Sequence, residues 1–157
     1  MNKIIAGKRA KHNGNYFENF LKSCAYRDKW EVLQIPNGCK TLGKNNLIRI
    51  PSPFDFVFCK NQKAIFADAK TTERSTFSRS QINVNQSFSL SRLEAQGFIA
   101  GYIVRFSKQK EVFFFSAAIL SGLKPQESLS PKDGVFIGND IHIHLDVLAK
   151  FFTSDES

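Results

Sequence analysis

Two helical periodicities set among alternating apolar runs predict an α/β domain whose central mixed β-sheet is flanked by helices. Phe17, Phe20, Leu21 and Cys24 recur at spacings of three and four, which predicts an amphipathic helix over about 14–26 with Glu18 beside its apolar stripe. Ile82, Gln86, Leu90 and Leu93 fall near the same spacing and predict a second helix over 84–96, closed by Gly97 as a C-terminal cap. Runs of strand length, rich in Phe, Val and Ile, lie between and after these helices. The order helix, strands, helix, strands gives one layered domain with a mixed sheet.

Each element follows in turn. Residues 1–13 are rich in Lys and Arg without a sustained period and read as a mobile basic arm; 14–152 form the single domain, and 153–157 a C-terminal tail. Residues 30–35 alternate like a strand that Pro36 ends. Residues 37–46, with two glycines and two lysines, read as a basic loop. Strands are predicted at 55–59 and 64–71, joined by the hairpin turn Lys60-Asn61-Gln62-Lys63. A polar segment at 72–80 leads into the second helix, after which 98–106 and 111–115 read as strands across a turn at 107–110. A short helix at 117–123, a loop at 125–133, a hairpin of 135–137 with 141–143, and a final helix at 146–152 complete the chain.

With 157 residues, 42% of them hydrophobic and 13% aromatic, the chain can bury one sizeable core. A formal charge of +8 makes an anionic polymer, nucleic acid first, the natural partner. No segment approaches the roughly 18 apolar residues of a spanning helix, which argues against a membrane partner. The apolar run before Gly7-Lys8-Arg9 is too brief for a secretory signal, so the expected location is cytoplasmic. Cys24, Cys39 and Cys59 are odd in number and widely spaced, indicating neither a disulfide framework nor a zinc site. His142 and His144 lack further ligands nearby in sequence and read as ordinary strand-end histidines.

The chemistry concentrates at Asp55 and at Asp68-Ala69-Lys70, on adjacent predicted strands. Alternation puts Asp68 and Lys70 on one face. With Asp55 alongside, two carboxylates converge as a hard divalent cation such as Mg2+ requires, a pattern suited to metal-dependent phosphodiester hydrolysis. The bland alternative is an exposed strand-face ion pair worth about 0–1 kcal/mol. Strongly apolar flanks argue against it, because burying two like charges together is costly without a metal.

Asn13-Gly14-Asn15-Tyr16-Phe17-Glu18, Asp55 and Asp68-Ala69-Lys70, followed by Gln86 on the next helix, resemble in order the motifs of the PD-(D/E)xK nucleases. Within that superfamily the chain is most similar to the RecU-type Holliday-junction resolvases, through Asp68-Ala69-Lys70, Phe77, Ile82-Asn83-Val84-Asn85-Gln86, Gly97-Phe98-Ile99 and Ile103-Val104-Arg105-Phe106. The likeness spans about 13–115. It departs at Asn13, where a basic residue is expected, at Ser52-Pro53-Phe54-Asp55, and in offering only 37–50 where RecU-type enzymes carry a long stalk.

The resemblance implies a restriction-endonuclease-like core and a Mg2+-dependent endonuclease, with Mn2+ as a possible substitute. It implies Asp55, Asp68, the Ala69 carbonyl and Glu18 as metal ligands, Lys70 beside the attacking water, and Gln86 as a positioning group. Lys8, Arg9, Lys11, Lys40, Lys44, Arg74 and Arg79 lie in the predicted arm and loops and are candidate DNA contacts. The expected substrate is a four-way junction, whose near two-fold symmetry calls for a homodimer. Two other readings stay open: a restriction-like or repair endonuclease acting on duplex, and a non-catalytic basic nucleic-acid-binding module.

Overall fold

The computed structural model describes residues 3–44 and 46–152, the side chains of 3–13, 39 and 49 excepted. A long helix, α1 (Lys3–Arg27), leads into β1 (Glu31–Gln34), the strands β2 (Gly38–Leu42) and β3 (Asn46–Ile50), then β4 (Phe56–Lys60) and β5 (Lys63–Thr72). A short β6 (Phe77–Ser78) precedes α2 (Val84–Ala95), β7 (Ile99–Phe106), β8 (Glu111–Ser116) and α3 (Ala117–Ser121). The chain closes with β9 (Ser128–Leu129), β10 (Val135–Asn139) and α4 (Asp146–Phe151).

Six strands form the central sheet in the order β1-β4-β5-β7-β8-β10. Every pairing in it is antiparallel except β5 with β7, which run parallel in the register Asp68↔Tyr102. The expected mixed sheet flanked by helices is therefore present. A parallel pair cannot be joined by a tight turn, and here α2 makes the crossover.

Alternation along the strands divides the core in two. On one face, Phe17, Leu21, Cys24 and Ala25 of α1 and Leu148 of α4 pack with Phe56, Phe58, Ile65, Ala67, Ile103 and Phe114. On the other, Leu90 of α2 and Leu120 of α3 pack with Tyr102, Val104, Phe106, Phe113, Phe115 and Phe77. Gly101 lets the central strands close up, since a Cβ there would stand 2.1 Å from the Phe115 carbonyl oxygen.

The turns follow their local chemistry. The two-residue β4–β5 turn holds Asn61 and Gln62 at φ 50° and 65°, the double positive φ of a type I′ hairpin. Asn83 caps α2 by accepting from the Asn85 N–H at 2.9 Å. At its other end Gly97, at φ 92°, donates to the Glu94 carbonyl while Phe98 donates to that of Leu93, which is a Schellman closure.

Two expectations need correcting. The basic arm assigned to 1–13 is helical from Lys3, continuing α1. Lys, Arg, Ala and Ile tolerate helix well, and the isolated Gly7 and Gly14 lower helix stability without ending it. The basic loop assigned to 37–46 is instead half of a β2–β3 hairpin, separate from the main sheet, with Gly43 at φ 72° near its apex. Glycines and lysines masked a short strand pair whose second arm carries Leu47, Ile48 and Ile50. Within the polar segment and the later loop, β6 and β9 also form a small pair.

Candidate active site

The ladder between β4 and β5 ends at Phe56↔Ala67. Asp55 stands one step beyond, its N–H donating to Ala67 O at 3.2 Å and its carbonyl accepting from Ile35 N at 2.8 Å. The next inward N–H of β5, that of Ala69, consequently lacks a strand partner, and Asp55 Oδ2 accepts it at 2.8 Å. This bond turns the Asp55 carboxylate into hydrogen-bonding reach of Asp68.

Asp68 is completely buried. Its Oδ1 accepts from Gln86 Nε2 at 2.9 Å, and Lys70 Nζ lies 2.8 Å from Oδ2. Although that contact is an ion pair by distance, Oδ2 receives no aligned hydrogen bond and so keeps an unsatisfied lone pair. Lys70 Nζ is directed instead to Gln86 Oε1, at 3.3 Å. Gln86, itself 9% exposed in the first turns of α2, therefore bridges the carboxylate and the ammonium. Burial pushes the Asp68 carboxyl up to about 7; Lys70 opposes this, and Asp55 adds to it.

Glu18 reaches the same region from α1, beside buried Phe17. Its Oε2 accepts from Gln34 Nε2 at 3.3 Å, and Gln34 Oε1 accepts from Lys22 Nζ at 2.9 Å. Burial, then the nearby Asp55, raises the Glu18 carboxyl above its ordinary range. An open groove of about 560 Å3 passes over Glu18 and Asp55, lined also by Gln34, Asn37 and Ser52. Asn37 Oδ1 accepts from the buried Ser52 N–H at 3.0 Å, tying the start of the hairpin to the segment before Asp55.

Glu18, Asp55, Asp68, Ala69, Lys70 and Gln86 thus meet at one end of the sheet. The candidate DNA contacts divide. Lys40 and Lys44 are exposed on the hairpin, and Arg74 is exposed just beyond β5. Arg79 is half-buried and donates to the Leu120 carbonyl at 3.2 Å, anchoring the end of α3. The side chains of Lys8, Arg9 and Lys11 lie outside the described residues. Sequence reasoning missed Gln34 and Tyr102. Gln34 had a faint signal, as the polar residue ending a strand directly before Pro36. Tyr102 had none, because only the parallel register puts it beside Asp68; burial raises its hydroxyl to about 12.

The buried, incompletely bonded Asp68 Oδ2 and the mutually opposed acids fit a hard divalent cation, for which carboxylate oxygens are the preferred donors. Asp68 and Lys70 on one strand, with the Asp55 carboxylate brought alongside from the neighbouring segment, set carboxylate oxygens next to an ammonium.

The structure is similar to the 1.6 Å structure of Archaeoglobus fulgidus Hjc, a Holliday junction resolvase from an archaeal hyperthermophile, with a TM-score of 0.56 at 14% identity, covering 79% of this chain and 96% of that one. No curated protein matches the chain by sequence. Residues 29–133, about two thirds of the chain, match the family model described as Recombination protein U, a stretch that includes Asp55, Asp68, Lys70 and Gln86. The chain belongs to that family of Holliday-junction resolvases.

Proposed function

We propose that this resolvase is a Mg2+-dependent endonuclease that cuts four-way DNA junctions by paired phosphodiester hydrolysis, working as a cytoplasmic homodimer. The observation that carries this reading is the buried Asp68, held by Gln86 and Lys70 yet left with an unsatisfied oxygen beside a second carboxylate. Asp55, Asp68 and the Ala69 carbonyl would hold the ion, with Glu18 as a further ligand and Mn2+ as a substitute. In a strand the carbonyl and N–H of one residue serve the same edge, so the Ala69 carbonyl faces the side on which its N–H bonds Asp55. When bound, the ion supplies Lewis-acid polarisation of the scissile phosphate and lowers the pKa of its water.

The chain's own groups do the rest. Lys70 orients the nucleophile and balances charge gathering on the phosphate oxygens, while Gln86 fixes Lys70 and Asp68 relative to each other. Gln34 holds the Glu18 carboxylate toward the groove. Lys40, Lys44 and Arg74, together with Lys8, Arg9 and Lys11, would bind phosphates without reading sequence, so affinity should fall steeply with salt. Arg79 joins them only if its bond to Leu120 leaves donors outward. Two-fold symmetry of the junction demands two such sites related by a dyad.

A second reading, an endonuclease for ordinary duplex, draws on one feature: the β2–β3 hairpin occupies only Gly38–Ile50, where RecU-type enzymes carry a long stalk. Cleavage of labelled four-way junction and linear duplex, each with Mg2+ or chelator, separates the two. Symmetric metal-dependent nicks confined to the junction support resolution. Equal cutting of duplex supports the second reading, and no cutting with any divalent metal refutes both.

A further inference from the structure

Beside the C-terminal end of α1, three side chains far apart in sequence converge. Asp28 follows α1, and His142 and His144 follow β10; one potential ligand atom from each lies within 4.8 Å of the other two. Asp28 comes ten residues after Glu18 along the helical chain, which places it about 15 Å from the carboxylate cluster. Sequence alone hid this group because Asp28 and His142 are separated by 114 positions.

The geometry points to a second metal site, formed by Asp28, His142 and His144, that takes zinc or a similar borderline transition-metal ion rather than Mg2+. Two imidazoles and one carboxylate are the donors such ions prefer, whereas the carboxylate cluster beside Lys70 offers oxygens alone. Three protein ligands leave a fourth tetrahedral position for water.

Several observations carry this beyond a simple ion pair. His142 Nε2 lies 2.8 Å from Asp28 Oδ2, which accounts for one ring nitrogen. The other, Nδ1, is buried without a hydrogen-bond partner. The His144 ring stands 4.4 Å from that of His142, centroid to centroid, and is exposed, so the group is open to solvent on one side. Both histidines are held by their backbones before any ion arrives: Asn139 Oδ1 accepts from His142 N at 3.2 Å, and Ile137 O accepts from His144 N at 2.7 Å. Gly138 permits this approach, since a Cβ there would stand 2.3 Å from the His142 carbonyl oxygen. Lys60 donates to the Asp28 carbonyl oxygen at 2.6 Å but has its charge paired with Asp146 at 3.0 Å.

The test is zinc binding by the full chain in excess Mg2+, measured by equilibrium dialysis and metal analysis, with Asp68→Asn, His144→Ala and His144→Gln beside the wild type. Expected are one tightly held equivalent in wild type and Asp68→Asn, and at least tenfold weaker retention in both His144 variants. Zinc at a hundredfold excess over its Kd should raise the wild-type thermal midpoint by about 5–10 °C and leave the His144 variants unmoved. Cobalt in place of zinc should give the visible absorption of a four-coordinate site, lost with His144. Zinc that disappears in Asp68→Asn would assign the ion to the carboxylate cluster. That result, retention unaffected by His144, or no retained zinc would overturn the proposal.

Discussion

Replacing Asp68 by Asn should stabilise the metal-free protein at high pH while abolishing cleavage, and the size of the effect follows from the burial of this carboxylate. Its carboxyl titrates at about 7 in the folded chain against 3.8 ordinarily, so the folded state holds the proton more tightly than the unfolded one. A group shifted upward contributes stability that is complete below 3.8 and lost as pH rises through about 7. The full displacement corresponds to about 4 kcal/mol, of which more than half is lost between pH 5 and pH 8. Asparagine keeps an oxygen for Gln86 Nε2 and carries no charge, so it escapes this loss. Urea unfolding of both proteins in chelator should therefore show wild type falling relative to Asp68→Asn by about 2–3 kcal/mol over that interval, or roughly 5–10 °C in thermal midpoint. Mg2+ added at pH 8 should restore the wild type, which then has a use for its carboxylate, and leave the variant unchanged. Stability curves that stay parallel from pH 5 to pH 8 would show that Lys70 and Gln86 already satisfy the ionised form. Asp68 would then need no cation to be stable in its ionised form.

Other perturbations test neighbouring parts of the molecule. Lys70→Ala should lower junction cleavage by about 10²–10⁴-fold with little change in gel-shift affinity, since phosphate contacts elsewhere supply most of the binding; a parallel loss of binding would make Lys70 a DNA contact. Arg105→Ala breaks two bonds of 2.8 Å to Asp140 and should cost about 1–2 kcal/mol in urea unfolding at neutral pH. Because Arg105 holds the Asp140 carboxyl below its ordinary range, the difference between wild type and variant should shrink as pH falls below 3.8. Gly101→Ala drives a methyl into the Phe115 carbonyl and should cost at least about 3 kcal/mol or prevent folding, checked by circular dichroism of the purified chain.

The sheet and its catalytic strand could be read from sequence because both rest on local pattern. Alternation marked β4 and β5, the polar four-residue junction marked their hairpin, and Asp68-x-Lys70 set two charges on one face whatever the rest of the chain did. Gln86 was legible only through the order of motifs, since nothing local distinguishes it from a glutamine on a helix surface; its burial comes from docking of α2. What stayed hidden depends on distant neighbours. Tyr102 reaches Asp68 through a parallel register, and Asp28 reaches His142 from the far end of the chain. The hairpin of β2 and β3 was hidden for another reason: none of its described side chains joins either core, so no core imposed a strong apolar alternation.

The lone parallel pairing has a consequence for how the enzyme comes into being. Asp55 stands one step before β4 and Asp68 lies in β5, the two arms of a tight hairpin that a nascent chain can close as soon as residue 72 has emerged. Gln86 arrives only with the crossover, and β7 can take its place beside β5 only after that long excursion has been closed, the slower kind of event in folding. An early fragment would therefore own both acids but lack the clamp that sets Lys70 against them. Cutting competence would therefore come only once α2 and β7 have docked, after the two acids are already paired.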